Sequence, residues 1–238
     1  MRRRRHSVCP AVHVRRSRPA RRRDRVATAV SGDDPTPGVR QVGVGAHPEP
    51  WPDDPRFDPE LLAEGDRRNV LDKYRYWTVE AIVADLDTRR HRFHVAIENW
   101  QHDLNIGTVV RTANAFLAAE VHIVGKKKWN RRGAMVTDRY QHIRHHSDPQ
   151  HLADFASTNE LSLVGIDNLP GSIDLDASPL PEHCILVFGQ EGPGLSELMH
   201  PFLDECRSIP QFGSTRSINA GVAAGIAMHA WIRTYATG

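Results

Sequence analysis

The segment FGQEGPGLSE, residues 188–197, sets one carboxylate, Glu191, inside a loop of three glycines and a proline. The apolar run Cys184–Val187 leads into it, the pattern of a strand ending in a tight turn. Glycine loops after strands commonly cradle phosphates through backbone N–H groups. This loop fits that chemistry poorly. It reads G-x-E-G-x-G rather than G-x-G-x-x-G, it comes late in the chain, and its acid would repel pyrophosphate. The Gly-Lys-Ser/Thr of a P-loop is absent. The loop suits a ligand that is not strongly anionic and is held by exposed backbone groups. Taken alone, it reads equally well as a plain strand-to-helix turn.

Two other stretches interrupt the simple core pattern. In NIGTVVRTANAF, residues 105–116, Arg111 points away from the apolar stripe and is free to serve a site. Asn105 stands where its side chain can cap the first turn. By themselves these two are explained by a cap and a solvated charge. In SIPQFGSTRSINAGVAAGIAMHAW, residues 208–231, Pro210 and Gly213 enforce a bend after a short strand. Ser217 and Asn219 then sit at the mouth of a helix. There is no G-x-S-x-G nucleophile elbow. His142, His145 and His146 have no cysteine or carboxylate at ligand spacing, so they read as a surface or RNA-facing cluster and no metal is expected.

These residues must be positioned by an α/β framework. RFHVAIE, EVHIVG, LSLVGID, HCILVFG and CRSIP read as strands. Residues 105–117, DPQHLADFAST, LSELMHPF and residues 218–235 read as helices, and WNRRGAMVTDRY as irregular and basic. Strands alternating with helices predict a mostly parallel sheet. The last helix is small and apolar almost all round from Ala220 to Ala227, so it must be buried on every side, one of which would be a subunit interface. Upstream, residues 66–90 read as a helical extension anchored by Val70, Tyr74, Trp77, Ile82 and Leu86. Residues 26–60, rich in Pro, Gly and Asp, read as a flexible linker without a core. The expected division is residues 1–60 as basic arm and linker, 61–90 as helical extension and 91–238 as main domain.

The net charge of +2 conceals an asymmetry. Residues 1–25 hold eleven arginines and one acid, about +10, leaving about −8 for the remainder. The arm reads as disordered or as upstream sequence translated from an early start, and alternatively as a nucleic-acid-binding tail. No apolar stretch is long enough to span a membrane, and the three dispersed cysteines fit a reduced, cytoplasmic chain.

In order, the three interrupting stretches resemble the signature motifs of the SpoU/TrmH branch of the SPOUT RNA methyltransferases. The first is similar to N-x-x-x-x-x-R, carried by Asn105 and Arg111. The second is similar to F-G-x-E-G-x-G-L-S, Phe188 to Ser196. The third is similar to I-P-x-x-G-x-x-x-S-[LI]-N, Ile209 to Asn219. The resemblance covers about residues 91–235. It implies a parallel α/β sheet flanked by helices with a C-terminal deep trefoil knot, which pattern reading alone would not give. It implies S-adenosylmethionine as cofactor, with Gly189, Gly192, Gly194, Ile209 and Ile218 at cofactor-binding positions. Arg111, Asn105, Glu191, Ser217 and Asn219 match the polar residues of the site. It further implies RNA as partner, methylation of a ribose 2′-hydroxyl, and a homodimer through the final helix. Lys126, Lys127, Lys128, Trp129, Arg131 and Arg132 form the best RNA-facing patch, with Trp129 available to stack on a base. Leu117, where the family commonly has Gly, and Gln211, where it often has Met, are departures.

Overall fold

The computed structural model describes residues 43–101 and 105–236. The expected arm and the first part of the expected linker lie outside them. Seven parallel strands form the sheet: β1 (His94–Asn99), β2 (Val121–Gly125), β3 (Ile143–His146), β4 (Ser162–Ile166), β5 (Ile173–Asp174), β6 (Cys184–Phe188) and β7 (Glu205–Ser208). Their order is β3-β2-β1-β6-β4-β7-β5. Every pairing is parallel. The central strands β1 and β6 are covered on both faces, which is why they read as continuous apolar runs.

Side chains alternate between two cores. Val95, Ile97, Leu186 and Phe188 face α3 (Asn105–Ala115) and α5 (Ala220–Tyr235). Ala96, Ile185 and Val187 face α4 (Pro149–Thr158), whose Leu152 and Ala156 are buried. Upstream lie α1 (Pro59–Glu64) and α2 (Val79–Asp87), capped by the Asp58 and Thr78 side chains. The anchors Tyr74, Ile82 and Leu86 pack with Tyr140 and Leu117 of the sheet domain, but within residues 66–90 only Val79–Asp87 is α-helix, with a 3-10 turn at Asp72–Tyr74.

Three further sequence expectations need correction. LSELMHPF is not an α-helix: turns lead into a single 3-10 turn, His200–Phe202. The N–H groups of Leu195 and Ser196 are taken by the Asp167 and Glu98 carboxylates, and Pro201 disfavours helical backbone just before it. Second, the linker reading fails for residues 43–60. Val44 and Phe57 form antiparallel bridges with Asp66 and Trp77, and α1 begins at Pro59. Third, the HIRHH segment contains edge strand β3, on which His146 is buried while His145 stays exposed.

Candidate active site

The glycine loop turns back on itself at the carboxyl ends of β4 and β6. Gln190 and Gly194 exchange backbone hydrogen bonds at 3.1 Å. A Cβ on Gly189 would lie 2.0 Å from the Gly194 carbonyl carbon, so the two limbs touch backbone to backbone. Gly192 and Gly194 take left-handed φ of 98° and 72°, where side chains are disfavoured. Two side chains from other elements and one of the loop's own fix it. Buried Glu98 accepts from the Ser196 N–H at 2.7 Å and hydroxyl at 2.6 Å. Asp167 accepts from the Leu195 N–H at 2.8 Å, and Gln190 Oε1 from the Trp100 N–H at 3.0 Å.

Beside the loop lies a cavity of about 340 Å³ at the carboxyl edge of the sheet. That is where open parallel sheets bind ligands. Ile166, Phe188, Ile209 and Ile218 give it apolar walls. Gly189, Gly192 and Gly194 line it as well, so all five residues expected at cofactor positions meet there. Asp167 and Glu191 lie in the lining, which among the described residues contains no Lys, Arg or His. Gln211 also lines it, and its buried Oε1 has no hydrogen-bond partner.

A polar relay closes one wall. Asn219 Nδ2 donates to Asn105 Oδ1 at 2.9 Å, and Asn105 Nδ2 donates to Glu191 Oε2 at 2.8 Å. Asn219 also caps α5, its Oδ1 accepting from the Gly221 and Val222 N–H groups. One residue from each of the three stretches thus meets in one hydrogen-bonded line. Asn105 is the first residue of α3 rather than the residue before it, and its amide is engaged across the fold. Ser217 lines the cavity. Arg111 does not: it lies on the exposed side of α3, outside the lining.

The basic segment is held against the start of α3. A Cβ on Gly107 would lie 2.6 Å from the Ala134 nitrogen, so backbone packs on backbone. Asn99 Nδ2 donates to the Lys126 and Lys128 carbonyls at 2.7 and 3.0 Å, which leaves all three lysines exposed. Arg131 and Arg132 are exposed too. Trp129 is half-buried against the core, with the Arg131 guanidinium 5.5 Å from its ring centroid. Part of that ring is therefore already covered.

The profile of the SpoU rRNA Methylase family matches residues 92–229, more than half of the chain and all three stretches. The chain belongs to the SpoU methylase family. A protein of Mycolicibacterium smegmatis described as an uncharacterized tRNA/rRNA methyltransferase is 33% identical over 141 residues, covering 56% of this chain and 44% of that one. A Mycobacterium avium protein of the same description is also 33% identical, with 45% of its length covered. This SpoU-family chain thus spans less than half the length of those relatives. The A. aeolicus TrmH/SpoU tRNA modifying enzyme shares the fold, with a TM-score of 0.58, 22% identity and coverage of 65% of this chain and 81% of that one. AviRb from Streptomyces viridochromogenes, solved in complex with AdoMet, gives 0.57, 24%, 65% and 62%.

Sequence reading missed Glu98, Asp167 and Gln190, which hold the SpoU-family loop in shape. Glu98 left one trace, a lone carboxylate in the apolar run VAIEN. It also passed over Phe212, which is 97% exposed on the loop between Ile209 and Asn219. Neither described cysteine, Cys184 nor Cys206, lines the cavity, and burial pushes the Cys184 thiol up to about 12.

Proposed function

We propose that the chain is an S-adenosylmethionine-dependent methyltransferase acting on a ribose 2′-hydroxyl of tRNA or rRNA, working as a cytoplasmic homodimer. The observation that carries the cofactor reading is the charge of the cavity. Among the described residues, two carboxylates and no cation line it. Phosphate-bearing cofactors are disfavoured there, whereas a ligand with a sulfonium and an ammonium is favoured. The buried Gln211 Oε1 offers an acceptor for a ligand N–H. The apolar walls suit an adenine ring, and the glycine loop brings bare backbone to the ligand. Family membership and the AdoMet complex of AviRb support the same cofactor. We also infer that the segment leading into α5 is threaded as a deep trefoil knot, as the resemblance implies.

When bound, the cofactor supplies a methyl group on a sulfonium that departs as a neutral thioether. The remaining work falls to the protein. The Asn219–Asn105–Glu191 line fixes the wall across which the ribose must approach. A guanidinium keeps its proton at neutral pH and is a poor base. Arg111 instead holds an RNA phosphate and stabilises the negative charge that grows on the 2′-oxygen as its proton passes to solvent water. The exposed Lys126–Lys128 and Arg131–Arg132 supply sequence-independent phosphate contacts. Phe212 offers a bare ring beside the cavity on which a base can stack.

Alkali tests the ribose assignment, because it cleaves RNA through the deprotonated 2′-hydroxyl. RNA treated with this protein and methyl-labelled cofactor should yield a labelled, alkali-resistant dinucleotide. Label found only in modified-base mononucleotides would transfer the reading to base methylation. No transfer and no saturable cofactor binding would leave a noncatalytic RNA-binding member.

A further inference from the structure

Away from the cavity, on the α4 face toward the β3 edge of the sheet, stands a second cluster of ligating side chains. His94, His122 and His146 come from β1, β2 and β3. His94 Nδ1 lies 3.0 Å from His122 Nε2, and His122 Nδ1 lies 2.9 Å from His146 Nε2. Phe155 of α4 covers all three rings, its centroid 4.7–5.9 Å from theirs. Burial holds His94 and His146 down to about 4 and keeps His122 well below its ordinary value, so all three are neutral at pH 7.

A neutral imidazole has one N–H. With the proton of His122 on Nδ1, directed at His146 Nε2, the lone pair of its Nε2 points at His94 Nδ1. The Glu120 carboxylate completes the group: ligand atoms of His94, Glu120 and His122 all lie within 4.8 Å of one another.

We propose that His94 Nδ1, His122 Nε2 and one Glu120 oxygen bind a transition-metal dication of the zinc class. Two nitrogens each about 2.0–2.1 Å from one tetrahedral ion stand roughly 3.3–3.4 Å apart, so binding would open the observed 3.0 Å separation by a few tenths of an ångström. Two imidazoles and a carboxylate suit Zn²⁺, Ni²⁺ or Cu²⁺ over Ca²⁺ or Mg²⁺. Behind His122 stands His146, whose Nε2 lies 2.9 Å from His122 Nδ1 and can accept the other ring N–H, the support that ligating histidines require. Without metal, a proton on His94 Nδ1 fills the 3.0 Å gap as an N–H···N bond. Metal takes its place once that proton sits on Nε2. Arg144 opposes the ion. Its Nε donates to both Glu120 oxygens at 3.0 and 3.1 Å, which orients the carboxylate but sets a like charge beside the site. The bound ion would tie β1 to β2 away from the cavity, so it serves stability rather than methyl transfer.

The test uses the full chain, freed of metal by chelator and titrated with ZnCl₂ by calorimetry, with melting followed in parallel. One equivalent should bind and raise the melting temperature, and Co²⁺ in its place should give a visible absorption band. His94→Gln and Glu120→Gln should each weaken binding by at least about tenfold. Arg144→Gln should tighten it. The exposed His142→Gln and His145→Gln should leave it unchanged. Should His94→Gln fail to fold, Glu120→Gln still decides. Zinc that binds equally well to the ligand variants, or does not bind to the parent protein, overturns the site. Neither result bears on the methyltransferase reading, because no ligand of the cluster lines the cavity.

Discussion

Gly189 is the residue at which the loop has least room. Its position 2.0 Å from a neighbouring carbonyl carbon, once a Cβ is added, leaves a methyl nowhere to go. Gly189→Ala should therefore spread the two limbs, at a cost of about 1–3 kcal/mol or more. Calorimetry should show S-adenosylmethionine affinity lost while far-ultraviolet circular dichroism is retained. Affinity unchanged by the added methyl would separate the loop from the cofactor. Arg111→Ala makes the opposite case. The side chain is exposed and outside the lining, so fold and cofactor affinity should persist while methyl transfer is abolished. Near-normal turnover would remove Arg111 from the mechanism. Both residues were legible in the sequence because each breaks a local pattern: a glycine in a strand-end turn, a cation beside an apolar stripe. Glu98 was not, because its partner Ser196 is 98 residues away. The Asn105–Glu191 and Asn105–Asn219 bonds span 86 and 114 residues. No local pattern carries such pairings, and only the resemblance brought the three stretches together.

Among the elements, the helical extension is the part whose attachment rests on a buried charge. Asp66 is fully buried. Burial pulls its pKa up, but bonds from the Arg68 side chain and from the Arg68 and Tyr76 N–H groups outweigh it, and the net shift is downward. Those bonds are 2.8–3.0 Å long. Removing one member of a buried ion pair strands the other, at about 3–5 kcal/mol. Asp66→Ala should loosen residues 43–90 while the sheet stays folded, seen as faster amide exchange and new proteolytic cleavage there. Uniform protection across both regions would count against this reading. The lowered pKa predicts the same loosening on acidification. The stabilisation is complete above the ordinary aspartate range near 4 and is lost as pH falls through the lower folded value. Leu117 shows why a departure from the family pattern is tolerated. It ends α3 at a left-handed φ of 54°, with Ala118 N–H bonded to the Ala113 carbonyl and Leu117 N–H to that of Asn114. Glycine fits that backbone more easily. Here the leucine side chain packs against the extension's Tyr74, Ile82 and Leu86 cluster, which offsets the strain. Strand and helix periodicity was readable for most of the sheet. It failed for β3, where His146 counts as polar yet packs in the interior. It failed also for LSELMHPF, where tertiary bonds to Glu98 and Asp167 override local propensity.

At the scale of the whole molecule, α5 still presents apolar surface to solvent. Val222 and Ile226, one turn apart, are 54% and 40% exposed on the apolar first half of the helix, before His229. Ala224 instead faces the chain's own core and is fully buried. Beside the exposed stripe runs α3: a Cβ on Gly221 would meet Thr108 at 3.0 Å, and one on Gly225 would meet Thr112 at 3.9 Å. Thr108, Arg111 and Ala115 lie on the exposed side of α3. The proposed dimer face and the proposed RNA-handling arginine are therefore neighbours, and closing the dimer would set Arg111 at the subunit boundary. Ile226→Asp separates the two properties. In a monomer the new carboxylate would stand in water at little cost, so the fold and the cavity should survive. In a dimer it would be buried without a partner, at several kcal/mol. Light scattering should show the mass halved, with S-adenosylmethionine affinity retained and methyl transfer lost as in Arg111→Ala. An unchanged dimer would place the interface on another face. A monomer that still methylates RNA at the parent rate would show that one copy suffices for catalysis.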